Sequence, residues 1–416
     1  MYLALRRSID FRTRVREKFG RAITSADATI IARAVELRFA RLGGRYSWRN
    51  LVVKGLIDWV HWNIEHAELT NLLRELAPHG PRIGYQSLAA GNIMAALGLF
   101  EAALTYEERG IDFLHRGYFR GLSLPYRVQE IQSSIHRGDR DRAIDSVGSF
   151  RTRYEKPGKL SFSVLDLLNY VDVWAGRVHN QTAEEMILKD PAWSRYISGK
   201  QVVLYGPGNI CPATPRITRS EVVARIAGPG SYSWPAEGDL AGGRADVVYL
   251  IPETLNSIGK TPQERINRVG HFDYLCIKRG EAPYLRNSRR VEAGARLFPR
   301  GHPNMTPLAT IDLLRTPATS VRIIGSDFFA SSSSYRADSI RTTPDGRPQT
   351  QQGSSGNLYD RCTLMASHNA FQNRRLIKNL LESGRITGDK AFLEACTLSD
   401  LDYARRLDLH YGQQRI

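Results

Sequence analysis

Apolar residues recur at helical spacing through the first half of the chain, over 51–62, 69–76, 88–114 and 164–173. Recurrence at i, i+3 and i+4 places such side chains on one helical stripe, whereas a half-buried strand alternates. Few segments before residue 195 alternate, so the pattern predicts an all-α region over 1–195. The texture changes between Asp190-Pro191 and Ser198-Gly199-Lys200. Beyond it, apolar runs of strand length appear at 201–205, 245–251, 272–277 and 321–325, with helical segments at 308–314 and 371–383. Apolar strands separated by helices predict an α/β domain over 196–416, Rossmann-like, with a mostly parallel sheet covered on both faces. The stretch 331–356 is rich in Ser, Gly, Pro and Gln and is long enough to serve as a lid.

Two stretches of the helical half look alike, Leu97-Gly98-Leu99-Phe100-Glu101-Ala102-Ala103-Leu104 and Arg137-Gly138-Asp139-Arg140-Asp141-Arg142-Ala143-Ile144. In each, a Gly stands five residues before an Ala that opens an apolar helix face. The first resembles the helix-turn-helix junction of tetratricopeptide repeats, where Gly permits a tight turn and Ala a close helix approach. The two glycines are 40 residues apart, longer than that family's period. The resemblance implies a degenerate helical-repeat domain that docks a protein partner or dimerises; an irregular helical bundle fits the same pattern.

Composition adds limits. At 416 residues, two or three domains are expected. No run of eighteen apolar residues is present, so no transmembrane helix is predicted, and the first twenty residues are too charged for a signal peptide. Cys211, Cys276, Cys362 and Cys396 lack zinc-ligand spacing, which fits a reducing cytosol. The formal charge of +16 attracts polyanions, whether nucleic acid, anionic lipid or phosphorylated sugar, and does not choose among them. A solvated basic surface accounts for it equally well.

Chemistry centres on Val202-Val203-Leu204-Tyr205-Gly206-Pro207-Gly208-Asn209, a strand entering a glycine-rich turn. Glycines let backbone N–H groups approach an anion, and a following helix N-terminus favours negative charge. No Gly-Lys-Ser/Thr follows, so this is not a P-loop, and Cys211 stands where a dinucleotide fingerprint needs its third Gly. Alone, the turn reads equally as an ordinary tight turn.

Its flanks widen the reading. Glu221-Val222-Val223-Ala224-Arg225-Ile226 follows, then Gly242-Gly243-Arg244-Ala245-Asp246-Val247-Val248-Tyr249-Leu250-Ile251-Pro252-Glu253. This order resembles the large sialyl motif of the animal-type sialyltransferases, a glycosyltransferase family. The resemblance implies that Gly208 and Asn209 contact the nucleotide of a CMP-activated sugar and that Arg225 stands on the motif's Arg. Ala227 falls near a second motif Asn. Pro303-Asn304-Met305-Thr306-Pro307-Leu308-Ala309, a helix, and Val321-Arg322-Ile323-Ile324-Gly325-Ser326-Asp327-Phe328 resemble the family's small motif. That places Thr306 beside the CMP moiety, with Pro307 replacing a Gly and Gly325 and Phe328 marking the strand end. Ser367-His368-Asn369-Ala370-Phe371-Gln372-Asn373 resembles the very small motif, whose His is the catalytic base. The motif's Glu is Asn373 here. A further family His-Tyr pair falls near 331–335, where Tyr335 stands without a His. The resemblance spans about 200–390 and rests on order and spacing; transferases of deoxyoctulosonate share similar folds, leaving the acid sugar open.

Read without the family, transfer from an activated sugar needs cationic or N–H partners for the phosphate, a base for the acceptor hydroxyl, and a shielded polar site. The turn at Gly206 with Arg216, Arg225 and Arg244 suits the first. His368, at a helix start, suits the second, with Asp327 as a further base candidate and His271 and His302 as rivals. Ligands collect at the carboxyl ends of strands in open α/β sheets, which adds Gly325 and Ser326 to the binding set. A single phosphate requires no metal, and the Asp-x-Asp group Asp400-Leu401-Asp402 is late and helical in pattern. Trp174, Trp193 and Trp234 read as core. The expected activity is transfer of a sialic-acid-like sugar from a CMP donor to a glycan hydroxyl in cell-surface polysaccharide synthesis. The expected acceptor is lipid-linked, with a cytoplasmic enzyme touching the inner membrane face through its basic N-terminus. The competing readings are a non-catalytic helical-repeat interaction protein with a relict nucleotide-binding domain, and a nucleic-acid-binding protein favoured by charge alone.

Overall fold

The computed structural model describes residues 46–60, 64–81, 84–116, 124–154, 162–176, 190–206, 217–227, 244–278, 282, 284–291, 294, 296–299, 301–330, 365 and 368–412. The stretch 331–356, the N-terminal 45 residues, and Pro207, Gly208, Asn209, Arg216, Trp234 and Tyr335 lie outside them. The chain divides into two compact units. One comprises 1–118, 358–367 and 400–416, the other 119–357 and 368–399.

In the first unit, helices α1 (Tyr46–Val60), α2 (His66–Leu76), α3 (Gly84–Ala96) and α4 (Phe100–Arg116) are joined by the late helix α14 (Asp400–Leu407). Helices α3 and α4 cross with backbones almost touching. A Cβ on Gly91 would sit 2.9 Å from the Ala103 carbonyl, and one on Gly84 2.8 Å from the Gly110 carbonyl. The turn between them needs Gly98, whose φ of 77° is left-handed. Both oxygens of Asp408 cap α4, accepting from Phe100 N and Glu101 N at 2.8 Å. The carboxylate thus satisfies two of the donors a helix start leaves without partners.

The second unit holds a seven-stranded sheet: β1 (Gln201–Tyr205), β2 (Val222–Ile226), β3 (Val247–Leu250), β4 (Tyr274–Lys278), β5 (Ser288–Val291), β6 (Ser320–Ile324) and β7 (Ile386–Gly388). Every pairing is parallel, in the order β5-β4-β3-β2-β1-β6-β7. Val202–Tyr205 of β1 and Val247–Leu250 of β3 are continuously apolar and buried, as expected of parallel strands covered on both faces. The chain builds outward from β1 to β5, then returns to lay β6 on the other side of β1. The α/β expectation therefore holds, with β2, β5 and β7 added to the four strands read from the pattern.

The helices of this unit are α5 (Leu124–Arg137), α6 (Arg140–Tyr154), α7 (Phe162–Trp174), α8 (Pro191–Ile197), α9 (Pro252–Ile258), α10 (Pro262–Val269), α11 (Met305–Leu314), α12 (Ala370–Leu381) and α13 (Lys390–Thr397). Three of them, α5, α6 and α7, group with the sheet although they precede residue 195. The physical reason is where their buried polar groups go. Asp166 of α7 pairs with Arg315 at 2.7 Å, and Tyr170 donates to the Leu376 carbonyl at 2.8 Å. On α5, Gln132 donates to the Arg296 carbonyl at 2.6 Å, and the Ile135 carbonyl accepts from Asn379 at 2.8 Å. A buried group left without such a partner loses its full solvation, so these bonds fix the grouping. Gly138, φ 70°, turns α5 into α6 as Gly98 turns α3 into α4, and Ala103 and Ala143 are both buried. The two hairpins belong to different units.

Candidate functional site

In a parallel sheet each crossover helix runs back against the strands, so the helix preceding the next strand begins at the carboxyl edge. Helix α11 leads into β6 and α12 into β7. The N-termini of both, and the strand ends at Gly206 and Gly325, therefore share one edge. That edge is where β1 meets β6 and the strand order reverses, the place where open α/β sheets form a ligand crevice.

Strand ends β1 and β6 are held close. Gly206 N donates to the Ile324 carbonyl at 2.7 Å, and a Cβ on Gly206 would stand 2.4 Å from the Gly325 oxygen. Only glycine fits there. Gly325 has φ 65°, and its N–H donates to Asp389 Oδ2 at 2.9 Å. The other Asp389 oxygen caps α13 by accepting from Phe392 N at 2.9 Å. Sequence reasoning missed Asp389, although an Asp just before the helical run 390–397 is a readable N-cap signal. Beyond Gly325, Ser326 is buried. Asp327 Oδ1 accepts from Phe329 N at 3.1 Å, tying that candidate base into its own turn. Phe328 and Phe329 have φ of 52° and 68°, a conformation that side-chain-bearing residues hold only when their surroundings impose it.

The starts of α11 and α12 are joined side to side. Asn304 caps α11 by accepting from Thr306 N at 3.2 Å, which places Thr306 in the first turn, buried. Asn369 caps α12 by accepting from Gln372 N at 3.0 Å, its own φ of 48° bending the chain there. Asn373 links the two: its Oδ1 accepts from Asn304 N at 2.8 Å, while its Nδ2 donates to the His368 and Asn369 carbonyls. Asn373 is thus a neutral brace. Lys278, ending β4, donates to the Pro303 carbonyl at 3.0 Å.

His368 and His302 meet here, the His368 ring bonding to the His302 backbone. Burial pushes the His368 imidazole down from 6.5 to about 4; the positive charge of Lys278 adds to the shift, the His302 backbone bond opposes it, and His302 adds a further, smaller push. His368 is therefore neutral at pH 7, with Nδ1 buried and free to accept a proton. Two helix N-termini and Lys278 make the surroundings favourable to an anion.

The other candidates separate. Arg225 is buried, its Nε donating to the Arg244 carbonyl at 2.9 Å and its guanidinium 4.6 Å from the Tyr205 ring centre. Arg244 pairs with Asp246 at 2.8 Å, and Asp246 accepts from Val223 N at 2.8 Å, so both arginines brace the β2–β3 edge. His271 precedes β4 and so lies at the amino edge, away from His368. Asp400 and Asp402 belong to α14 in the other unit. Trp174 and Trp193 are fully buried. Among the described residues, no three His, Cys, Asp or Glu side chains cluster to hold a metal ion, and no helix is long and apolar enough to cross a membrane. Comparison with known proteins finds no matching family model, no matching curated protein and no matching solved structure.

Proposed function

We propose that the second unit is a sugar transferase that takes an acid sugar from a CMP donor and gives it to a glycan hydroxyl. The observation that carries this reading is the neutral His368 standing beside the joined starts of α11 and α12, on the edge where the strand order reverses at β1 and β6. In this reading the phosphate lies against the Gly206 and Gly325 strand ends, and the helix starts on the same edge favour its charge. Thr306, Ser326, Gly208 and Asn209 complete the nucleotide contacts. The acceptor hydroxyl oxygen attacks the anomeric carbon, and His368 Nδ1 takes the hydroxyl proton. The bond from that carbon to the phosphate oxygen breaks, and its electron pair leaves on CMP. The helix starts and Lys278 offset the growing negative charge. A free imidazole near 4 is a weak base, and the phosphodiester and carboxylate charges of a bound CMP-linked acid sugar raise it toward its ordinary range, matching basicity to the moment of reaction. Arg225 enters this reading as a brace under the β2 end.

The helical hairpins α3–α4 and α5–α6, with their shared Gly-to-Ala spacing, support a degenerate repeat that docks a protein partner. A cytoplasmic enzyme working on a lipid-linked acceptor at the inner membrane face fits the +16 charge. The test is donor turnover. Wild-type protein releases CMP from a CMP-linked acid sugar when a glycan acceptor is present, and His368→Ala lowers that rate at least about 100-fold with CMP binding unchanged. Equal release by both proteins removes His368 from the chemistry. The second reading, a binding protein with a relict site, is favoured by the replacement of the motif Glu by Asn373, and it predicts CMP binding without turnover.

A further inference from the structure

The turn that leaves β6 is strained. Gly325, Phe328 and Phe329 all stand in the left-handed region, with φ of 65°, 52° and 68°. Glycine adopts that conformation freely, whereas a phenylalanine there brings its Cβ against its own backbone. Among the described residues, the other side-chain-bearing residue with positive φ is Asn369, of a type that tolerates it. Two consecutive phenylalanines stay left-handed only where their surroundings impose it.

The surroundings impose it unequally. The Phe328 ring is buried, its centre 6.1 Å from that of Phe392 on α13. Phe329 is half-buried, and its N–H is held by Asp327 Oδ1 at 3.1 Å, while Ala330 N donates to the Asp327 carbonyl at 2.9 Å. Asp389, the second carboxylate at this strand end, accepts from Gly325 N and from Phe392 N, both at 2.9 Å. Backbone N–H groups that an anion would use at the β6 end are thus engaged by the chain's own carboxylates. The two carboxylates are not held equally firmly. Asp389 is buried and bonded through both oxygens, so it stays in place. Asp327 is half-buried, and its bond holds a strained residue, so opening that bond releases strain.

We propose that Asp327 is a carboxylate latch on the β6 end, holding the Phe329 N–H until an entering nucleotide phosphate displaces it; this rests on the nucleotide-site reading of the same edge. The phosphate competes for the N–H and repels the carboxylate, and Phe329 then leaves the left-handed region. The latched turn is strained and the opened turn is relaxed, so part of the binding free energy comes from the turn itself. Relieving the strain within the latched turn therefore weakens binding, and loosening the latch tightens it.

Calorimetric titration of the full chain with CMP tests the inference in the wild type, Phe329→Ala, Phe329→Gly and Asp327→Asn. Phe329→Ala removes the ring and keeps the strain, whereas Phe329→Gly removes both, so their difference isolates the backbone. Phe329→Gly binds CMP about 5-fold or more weaker than Phe329→Ala, the factor carried by one left-handed residue. Asp327→Asn keeps an oxygen for the Phe329 N–H and removes the charge. The bond loses its charge assistance, and CMP binds about 5-fold or more tighter than to the wild type. Without CMP, Phe329→Gly also melts above Phe329→Ala, because glycine relieves the strain. Equal CMP affinity of the two 329 variants, or unchanged or weaker binding by Asp327→Asn, overturns the latch and leaves the nucleotide site standing. Phe329→Gly melting at or below Phe329→Ala overturns it too, by showing that residue 329 is not strained. Absence of CMP binding by the wild type overturns the nucleotide-site reading, and the inference falls with it.

Discussion

His368 ties the proposed chemistry to a measurable pH dependence of stability. Its imidazole is held at about 4 in the folded protein against 6.5 in a model peptide. Between those values the unfolded chain binds a proton that the folded chain refuses. Stability therefore rises with pH across this window and is lost as pH falls from about 6.5 toward 4. The protonation linkage amounts to about 0.2 kcal/mol at pH 7 and about 2.6 kcal/mol at pH 4.5, so acidification removes roughly 2.4 kcal/mol through this one residue. The perturbation is His368→Gln, which abolishes the titration. Urea unfolding at both pH values, followed by fluorescence of Trp174 and Trp193 in the same unit, gives the two stabilities. Wild type should lose about 2 kcal/mol more than His368→Gln between pH 7 and pH 4.5. Equal losses would place the folded imidazole near 6.5 and refute the account of its burial beside Lys278.

Gly206→Ala puts a Cβ 2.4 Å from the Gly325 carbonyl oxygen, backbone that cannot swing away. The expected cost is about 2 kcal/mol in chemical denaturation, with CMP binding lost as the β1 and β6 ends part. Asn373→Leu leaves the Asn304 N–H and the His368 carbonyl without their bonds. It should lower stability by about 2–3 kcal/mol and move the His368 midpoint, read by NMR titration, toward 6.5. In the first unit, Asp408→Ala removes the cap on two α4 amides and should cost about 1–2 kcal/mol, read as a lower melting temperature.

How much of this was legible depended on the range of the contacts involved. Strands β1, β3, β4 and β6 announce themselves because a parallel strand covered on both faces is mostly apolar. Strand β5, Ser288–Val291, carries Arg289, whose charge is matched by Asp190 at 2.8 Å and Asp312 at 2.6 Å. Nothing local marks Ser-Arg-Arg-Val as a strand. Strand β7 has three residues, too few for any period. The boundary at 195 followed helix against strand texture, whereas the grouping of α7 with the sheet follows pairs such as Asp166 and Arg315. At the candidate site, the helix starts near His368 and Thr306 and the strand ends at Gly206 and Gly325 were legible in the local pattern. Their bracing was not, because Asn373 reaches Asn304 and Asp389 reaches Gly325 across more than sixty residues of chain. Asp327 and Arg225 had the right residue types, and only the fold shows that the turn and the β2–β3 edge engage them.

The central claim is a nucleotide site at the joined ends of β1 and β6, and calorimetric titration of the full chain with CMP tests it most directly, in wild type and in Gly206→Ala. The account predicts saturable binding by the wild type with one CMP per chain, and loss of that binding in a Gly206→Ala protein that remains folded by circular dichroism. Absence of binding by the wild type, or binding that Gly206→Ala leaves intact, would contradict it.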